Sequence, residues 1–229
     1  MKPKIVILAS GGGTTAEAFI RANAVGLISV DVGQIIVSRS DAGIFERIMN
    51  LNQEFGLNIP CELINHKTHP AVAGETVNRG DQTIAEEQAM IDLIKASGAD
   101  LVVLMGYMKR LGPNIVHEFG WRGEYTNPYQ TMMLNTHPGL FPETKGFYGL
   151  LCQEKVLELK LPEAGQTLHV VSEDYDDGPT IAEHRVSVEP DDTAETLFAR
   201  VQTIEKRYLP TDIEVFIQAR EQFLKSERG

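Results

Sequence analysis

The chain has 229 residues, 42% hydrophobic and 23% charged, an ordinary composition for a soluble globular protein with one substantial core. A formal net charge of −11 argues against nucleic acid or an anionic membrane surface as the main partner, while leaving small anions open, because a local group of amides and cations can outweigh a remote net charge. Cys61 and Cys152 lie far apart without metal-ligand spacing and no apolar stretch approaches a membrane span, so a reducing, cytoplasmic setting is expected.

Lys4 to Ala9 is a continuous apolar run, as expected of a strand buried on both faces of a parallel sheet. Ser10-Gly11-Gly12-Gly13-Thr14-Thr15 follows at once, and Ala16 to Ala24 reads as a helix. Strand, glycine turn and helix aim free backbone N–H groups and a helix dipole at an anion, and Thr14 or Thr15 can cap the helix. The spacing is not that of a P-loop. Gly11, Gly13 and Ala16 come close to the dinucleotide fingerprint in its G/A variant, which stays open at this point. Val32 to Val37 is a second strand, and no acidic residue stands at its tip where a dinucleotide ribose needs one. A helix then runs to about Phe55, and Cys61 to Ile64 is a short third strand. His66 to Asp81 reads as an exposed loop, with His66 and His69 as surface histidines rather than metal ligands.

Thr83 to Ala96 has helical apolar spacing, and Ala99 to Gly106 is the next buried strand, opening at Tyr107 to Leu111 into the kind of crevice where α/β sheets bind ligands. Pro113 to Phe119 can form a short helix, and Trp121 to Gln130 is polar and turn-rich, a surface excursion. The apolar run Met132-Met133-Leu134 then stops at Pro138. Residues two apart on a strand share a side, so Asn135 and His137 face one space. An amide donor beside a group that titrates near neutrality suits carbonyl chemistry; a turn cap next to a satisfied polar residue accounts equally for Asn135 and His137. Thr144 to Gly149 is a loop, Leu150 to Leu159 a helix, and Gln166 to Val171 a strand with His169 as a core or supporting histidine. Glu173, Asp174, Asp176 and Asp177 crowd four carboxylates into five positions, either a solvated turn or a source of one carboxylate that orients a histidine. Thr180 to Val188 pairs antiparallel with the preceding strand, and a long helix opens with Asp192-Thr193-Ala194-Glu195 as its cap. With no repeat or linker, residues 1–229 are expected to form a single domain. It is expected to be α/β and Rossmann-like: a mostly parallel twisted sheet with flanking helices and an antiparallel C-terminal strand pair.

Taken together, S-G-G-G-T-T after the first strand, A-D-L-V-V-L-M-G-Y-M, L-N-T-H-P-G-L-F-P, Y-D-D-G-P and R-V-Q-T-I-E resemble the 10-formyltetrahydrofolate-dependent formyltransferases, in the same order. The last piece points to the branch that formylates glycinamide ribonucleotide in purine synthesis. The resemblance implies 10-formyltetrahydrofolate as co-substrate and no metal. It implies a catalytic trio of Asn135, His137 and Asp176: Asn135 for the oxyanion, His137 as proton carrier, and Asp176 to orient the imidazole and raise its pKa. It implies a ribose-phosphate cradle of Gly12, Gly13, Thr14 and Thr15, with Gln202 and Glu205 at the glycinamide. The walls of the pteridine slot would be Met108, Lys109, Arg110, Leu111, Asn135, Asp174 and Tyr175. Partners would be small molecules only, the protein a monomer or homodimer.

The pattern departs from that family where Thr15 replaces an asparagine, Lys109 an arginine, Arg110 an apolar residue and Tyr148 a loop histidine. Lys145-Gly146-Phe147 also breaks the usual proline-glycine pattern, an arginine expected near Thr83 is missing, and Trp121 to Gln130 is extra. The same chemistry on another amine, such as an amino sugar nucleotide, therefore stays open. Formylfolate hydrolysis is discounted because the chain starts at its first strand. A non-catalytic nucleotide binder has no need of the trio.

Overall fold

A computed structural model describes residues 2–227. Seven strands, β1 (Lys4–Ala9), β2 (Asp31–Val37), β3 (Cys61–Leu63), β4 (Leu101–Met105), β5 (Met133–His137), β6 (Glu163–Val170) and β7 (Thr180–Ser187), form one sheet in the order β3-β2-β1-β4-β5-β6-β7. The pairs from β3 to β5 are parallel, and β5–β6 and β6–β7 are antiparallel, so the direction reverses at β5. Six helices accompany the sheet: α1 (Thr14–Ala24), α2 (Ile44–Phe55), α3 (Ile84–Ser97), α4 (Pro113–Phe119), α5 (Leu150–Glu158) and α6 (Ala194–Ser226).

The two-residue period of β1 divides the core. Ile5, Ile7 and Ala9 face α1, α2 and α6, meeting Phe19, Ile20, Ile48, Leu51 and Phe216. Val6 and Leu8 face α3 and α4, meeting Met90, Ile91, Ile94, Ile115 and Phe119. Each such side chain contributes about 1.5–3 kcal/mol on full burial, which explains why the central strands carry apolar residues without alternation. This is the expected fold class: a mostly parallel sheet, helices on both faces and an antiparallel strand pair at the C-terminal side.

Several expected boundaries move. α1 begins two residues early, at Thr14; Gly13 occupies its cap position and no side chain caps it, so neither Thr14 nor Thr15 does that work. β6 begins at Glu163 rather than Gln166. The cap of α6 is Thr193, paired with Thr196 one residue later than expected, because Asp192 is taken up by an ion pair with Arg200. The Trp121–Gln130 segment is not a bare surface excursion. Asn127 caps a 3-10 turn over Pro128–Gln130, which sets the Tyr129 ring 5.3 Å from Phe216 and 6.2 Å from Phe223 of α6. Aromatic burial in an otherwise polar stretch ties it down.

Candidate active site

The glycine turn leaves β1 at the C-terminal edge of the sheet. Ser10 bonds Ser38 through their hydroxyls at 2.6 Å and accepts the Met108 N–H at 2.8 Å, joining the tips of β1, β2 and β4. Gly13 lies at φ +74°, and a Cβ there would stand 2.6 Å from Ile44 Cβ, so both conformation and space demand glycine. Arg47 of α2 donates to the Gly12 carbonyl at 2.7 Å and pairs with Glu17 of α1, bracing the turn from behind. Gly11 to Thr15, with Gly106, Met108, Thr136, Gln202 and Glu205, line a cavity of about 380 Å³. The Glu205 carboxylate is buried and accepts hydroxyl bonds from Thr15 at 3.0 Å and Thr136 at 2.7 Å; burial raises its pKa, which those two donors oppose.

At the far wall, β5 delivers Asn135 and His137 to the same cavity, as the strand period requires. Their antiparallel partners on β6 are His169 and Thr167. His169 Nδ1 stands 3.0 Å from the Val170 carbonyl, which can only accept, so Nδ1 carries the proton and Nε2 accepts from the Asn135 amide at 3.0 Å. That fixes which end of the Asn135 amide is the donor. Asp176 reaches in from the acidic loop at φ +55°, its two oxygens 3.5 Å from His137 Nδ1 and 3.5 Å from His169 Nε2, and it accepts the Gly146 N–H at 3.1 Å. Gly178 lets that loop pass over β6, because a Cβ there would stand 1.9 Å from the Val170 carbonyl oxygen. Lys145 pairs with Asp177, tying the loop after His137 to the acidic loop.

The expected raising of the His137 pKa by Asp176 is not what the surroundings produce. Burial, followed by the neighbouring His169, holds His137 down to about 4 against the Thr144 carbonyl, while burial pushes Asp176 up to about 6 against Gly146 and Lys145. Near neutral pH the resting imidazole is therefore neutral. His137 Nδ1 and the nearer Asp176 oxygen stand 3.5 Å apart.

A second, smaller cavity of about 50 Å³ opens behind, lined by Lys109, Arg110, Leu111, Asn135, His169, Tyr175 and Asp176 among others, and the two cavities share Tyr107, Asn135 and Tyr175. Of the expected slot residues, Met108 lines the larger cavity instead, and Asp174 lines neither, facing a neighbouring hollow beside Trp121 and Arg122. Lys109 lines the slot but its ammonium pairs with Glu86, whose side chain is 1% exposed, so its charge is already taken. Arg110 is exposed, and among the described residues no carboxylate pairs with it. No group of three or more His, Cys, Asp or Glu among the described residues is placed to hold a metal ion, and no described helix is long and apolar enough to cross a membrane. Tyr107 lines both cavities, as expected of the crevice after β4, whereas Thr136 and Thr144 belong to the site without having been singled out. Thr136 alternates with Asn135 and His137 on β5, and only the tertiary approach of α6 gives it a partner.

Residues 3–213 match the family model described as formyl transferase. The phosphoribosylglycinamide formyltransferase of Escherichia coli (strain K12) is 30% identical over 216 residues, covering 94% of this chain and 88% of the relative. The trifunctional purine biosynthetic protein adenosine-3 of Homo sapiens is 30% identical over 215 residues, 93% of this chain but 18% of the relative, so the chain spans about a fifth of that protein's length. The crystal structure of phosphoribosylglycinamide formyltransferase from Bacillus halodurans superposes with a TM-score of 0.74 at 30% identity, covering 93% of this chain and 95% of that one. With the glycine turn and the L-N-T-H-P strand lining one cavity and Asp176 of the D-x-G-P loop set beside His137, this chain belongs to the formyl transferase family.

Proposed function

We propose that this protein transfers the formyl group of 10-formyltetrahydrofolate to the amine of glycinamide ribonucleotide, a step of purine biosynthesis. The observation that carries the reading is the meeting of the two cavities at Asn135, with the glycine turn at the end of one and Asp176 in the other. The names of the similar proteins support the same substrates.

In this reading the N–H groups of the Gly11–Thr15 turn hold the phosphate at the start of α1, and Gln202 and Glu205 receive the ribose and glycinamide. The pterin enters the slot beside Leu111 and Tyr175. As the amine nitrogen bonds the formyl carbon, the carbonyl electrons move to oxygen. Asn135 donates its second amide N–H to that oxygen, a contribution worth roughly 3–4 kcal/mol in comparable sites. The neutral His137 takes the proton released by the nitrogen, and Asp176 stabilises the imidazolium so formed. When the carbonyl re-forms and the bond to the folate N10 breaks, His137 returns that proton to N10. No covalent enzyme intermediate is required.

Incubating the protein with 10-formyltetrahydrofolate and glycinamide ribonucleotide while following folate deformylation by absorbance tests the reading. Turnover that requires both substrates is expected. Turnover only with a different amine overturns the acceptor and keeps the chemistry.

A further inference from the structure

The floor under His137 is built from residues the proposed reaction does not use. Its Nε2 points away from the cavity, 3.1 Å from the Thr144 carbonyl and 3.2 Å from the Thr144 hydroxyl. That hydroxyl donates to the Leu140 carbonyl at 2.7 Å, so toward His137 it can only accept. Two oxygens without a proton to offer thus face one ring nitrogen, and that nitrogen must carry hydrogen. Cys152 Sγ, 3.7 Å away, closes the third side. Thr144 and Cys152 are both fully buried, which shields Nε2 from solvent on those sides. Gly139 makes the arrangement fit: a Cβ there would lie 2.1 Å from the Thr144 hydroxyl and 3.0 Å from His137 Nε2.

We propose that Thr144 is a positioning residue that keeps a proton on His137 Nε2 throughout, so that the imidazole takes and gives its working proton through Nδ1 alone. The inference deepens the formyl-transfer reading and rests on it for the meaning of the working proton. Nδ1 accepts the proton as the amine bonds the formyl carbon and surrenders the same proton to the folate nitrogen as that bond breaks. The ring then ends as it began, with hydrogen on Nε2 and Asp176 still ionised. Were the two Thr144 acceptors not both in place, the ring could shift its hydrogen to Nδ1, toward Asp176, and the nitrogen assigned the working proton would be blocked.

Ring-nitrogen NMR of the protein labelled with nitrogen-15 histidine reads this in the resting state, with the His137 signals assigned by their loss in His137→Gln. Nε2 is expected at the protonated position at every pH and Nδ1 at the bare position near neutrality. A bare Nε2 overturns the proposal. Because no substrate is present, the result stands apart from the choice of acceptor: absent turnover with glycinamide ribonucleotide overturns the proposed function and leaves the ring assignment intact. In kinetics, Thr144→Val is expected to lower kcat several-fold at little change in KM and to move the acid limb of the pH profile to lower pH, since an acceptor is lost from the imidazolium. Thr144→Ser is expected to restore both. A Thr144→Val protein with the original kcat and pH profile overturns the role; if that variant does not fold, the NMR of the unaltered protein decides.

Discussion

His169 Nε2 and Asn135 Nδ2 are 3.0 Å apart across paired positions of β5 and β6. Because the other nitrogen of His169 is spent on the Val170 carbonyl, the ring is a fixed acceptor and the amide is a fixed donor. Half of the amide's donor capacity holds it in place and half is left for the reacting oxygen.

Replacing the amide by a carboxylate of the same size tests this directly. Asn135→Asp turns a donor toward the developing oxyanion into a like charge, so kcat is expected to fall by roughly 10²–10³-fold or more with KM for either substrate little changed. His169→Leu frees the amide to turn over and is expected to give a smaller loss in kcat. Steady-state kinetics of both variants decide, and equal activities of Asn135→Asp and the unaltered protein would remove the oxyanion role.

The glycine turn should answer through binding. Gly13→Ala puts a side chain at φ +74° and into Ile44, which costs about 1–2 kcal/mol from the backbone alone. The turn is expected to shift, raising KM for the phosphorylated substrate roughly tenfold or more while KM for formylfolate stays close to its original value. Similar increases in both constants would place the turn's role elsewhere.

Lys109 is expected to matter for stability before it matters for folate. Glu86 is 1% exposed and also accepts the Thr83 N–H at the start of α3, so removing the ammonium leaves a buried carboxylate without its counter-charge. Lys109→Met is expected to cost roughly 3–5 kcal/mol in denaturant unfolding. The double variant Lys109→Met, Glu86→Leu is expected to recover much of that loss. A folate-binding defect without a stability defect would mean that the Lys109 charge is available to ligand after all.

Acid should weaken the fold through the two histidines. His137 and His169 are held down to about 4 from 6.5, so between those values the unfolded chain binds protons that the folded chain refuses, and stability falls as pH drops through that window. Asp176, pushed up to about 6 from 3.8, acts in the opposite sense over nearly the same window and offsets one of the two. From these three groups a net uptake of about one proton on unfolding remains, worth roughly 3 kcal/mol between pH 6.5 and 4, and the carboxyls of Glu205 and Asp212, also raised by burial, reduce it. Denaturant titrations across that range should show it, and His169→Gln should flatten the slope.

Elements with a strong local signal were legible to the residue: the apolar run of β1 at Lys4–Ala9, and α4 at Pro113–Phe119 with proline in its first turn, stand where their sequences place them. The pairing of Asn135 with His137 was legible too, because it follows from a two-residue period. What could not be read depends on groups distant in sequence. Thr15 left its expected capping role for Glu205, 190 positions away, and Lys109, though it lines the slot, has its ammonium paired with Glu86. The depressed pKa of His137 comes from burial under loops that no local pattern describes. The oxyanion role proposed for Asn135 is what Asn135→Asp tests, and the proton path proposed for His137 is what Thr144→Val tests.

Trp121 is the single tryptophan of the chain. Its backbone N–H donates to the Val171 carbonyl at 2.7 Å, directly before the acidic loop, and the residue lines a hollow with Ser172, Glu173, Asp174 and Asp177. The protein therefore carries its own optical probe. Movement of the segment that bears Asp176 would register as a change in intrinsic fluorescence, so stopped-flow emission on mixing with formylfolate reports, without any label, whether that segment moves.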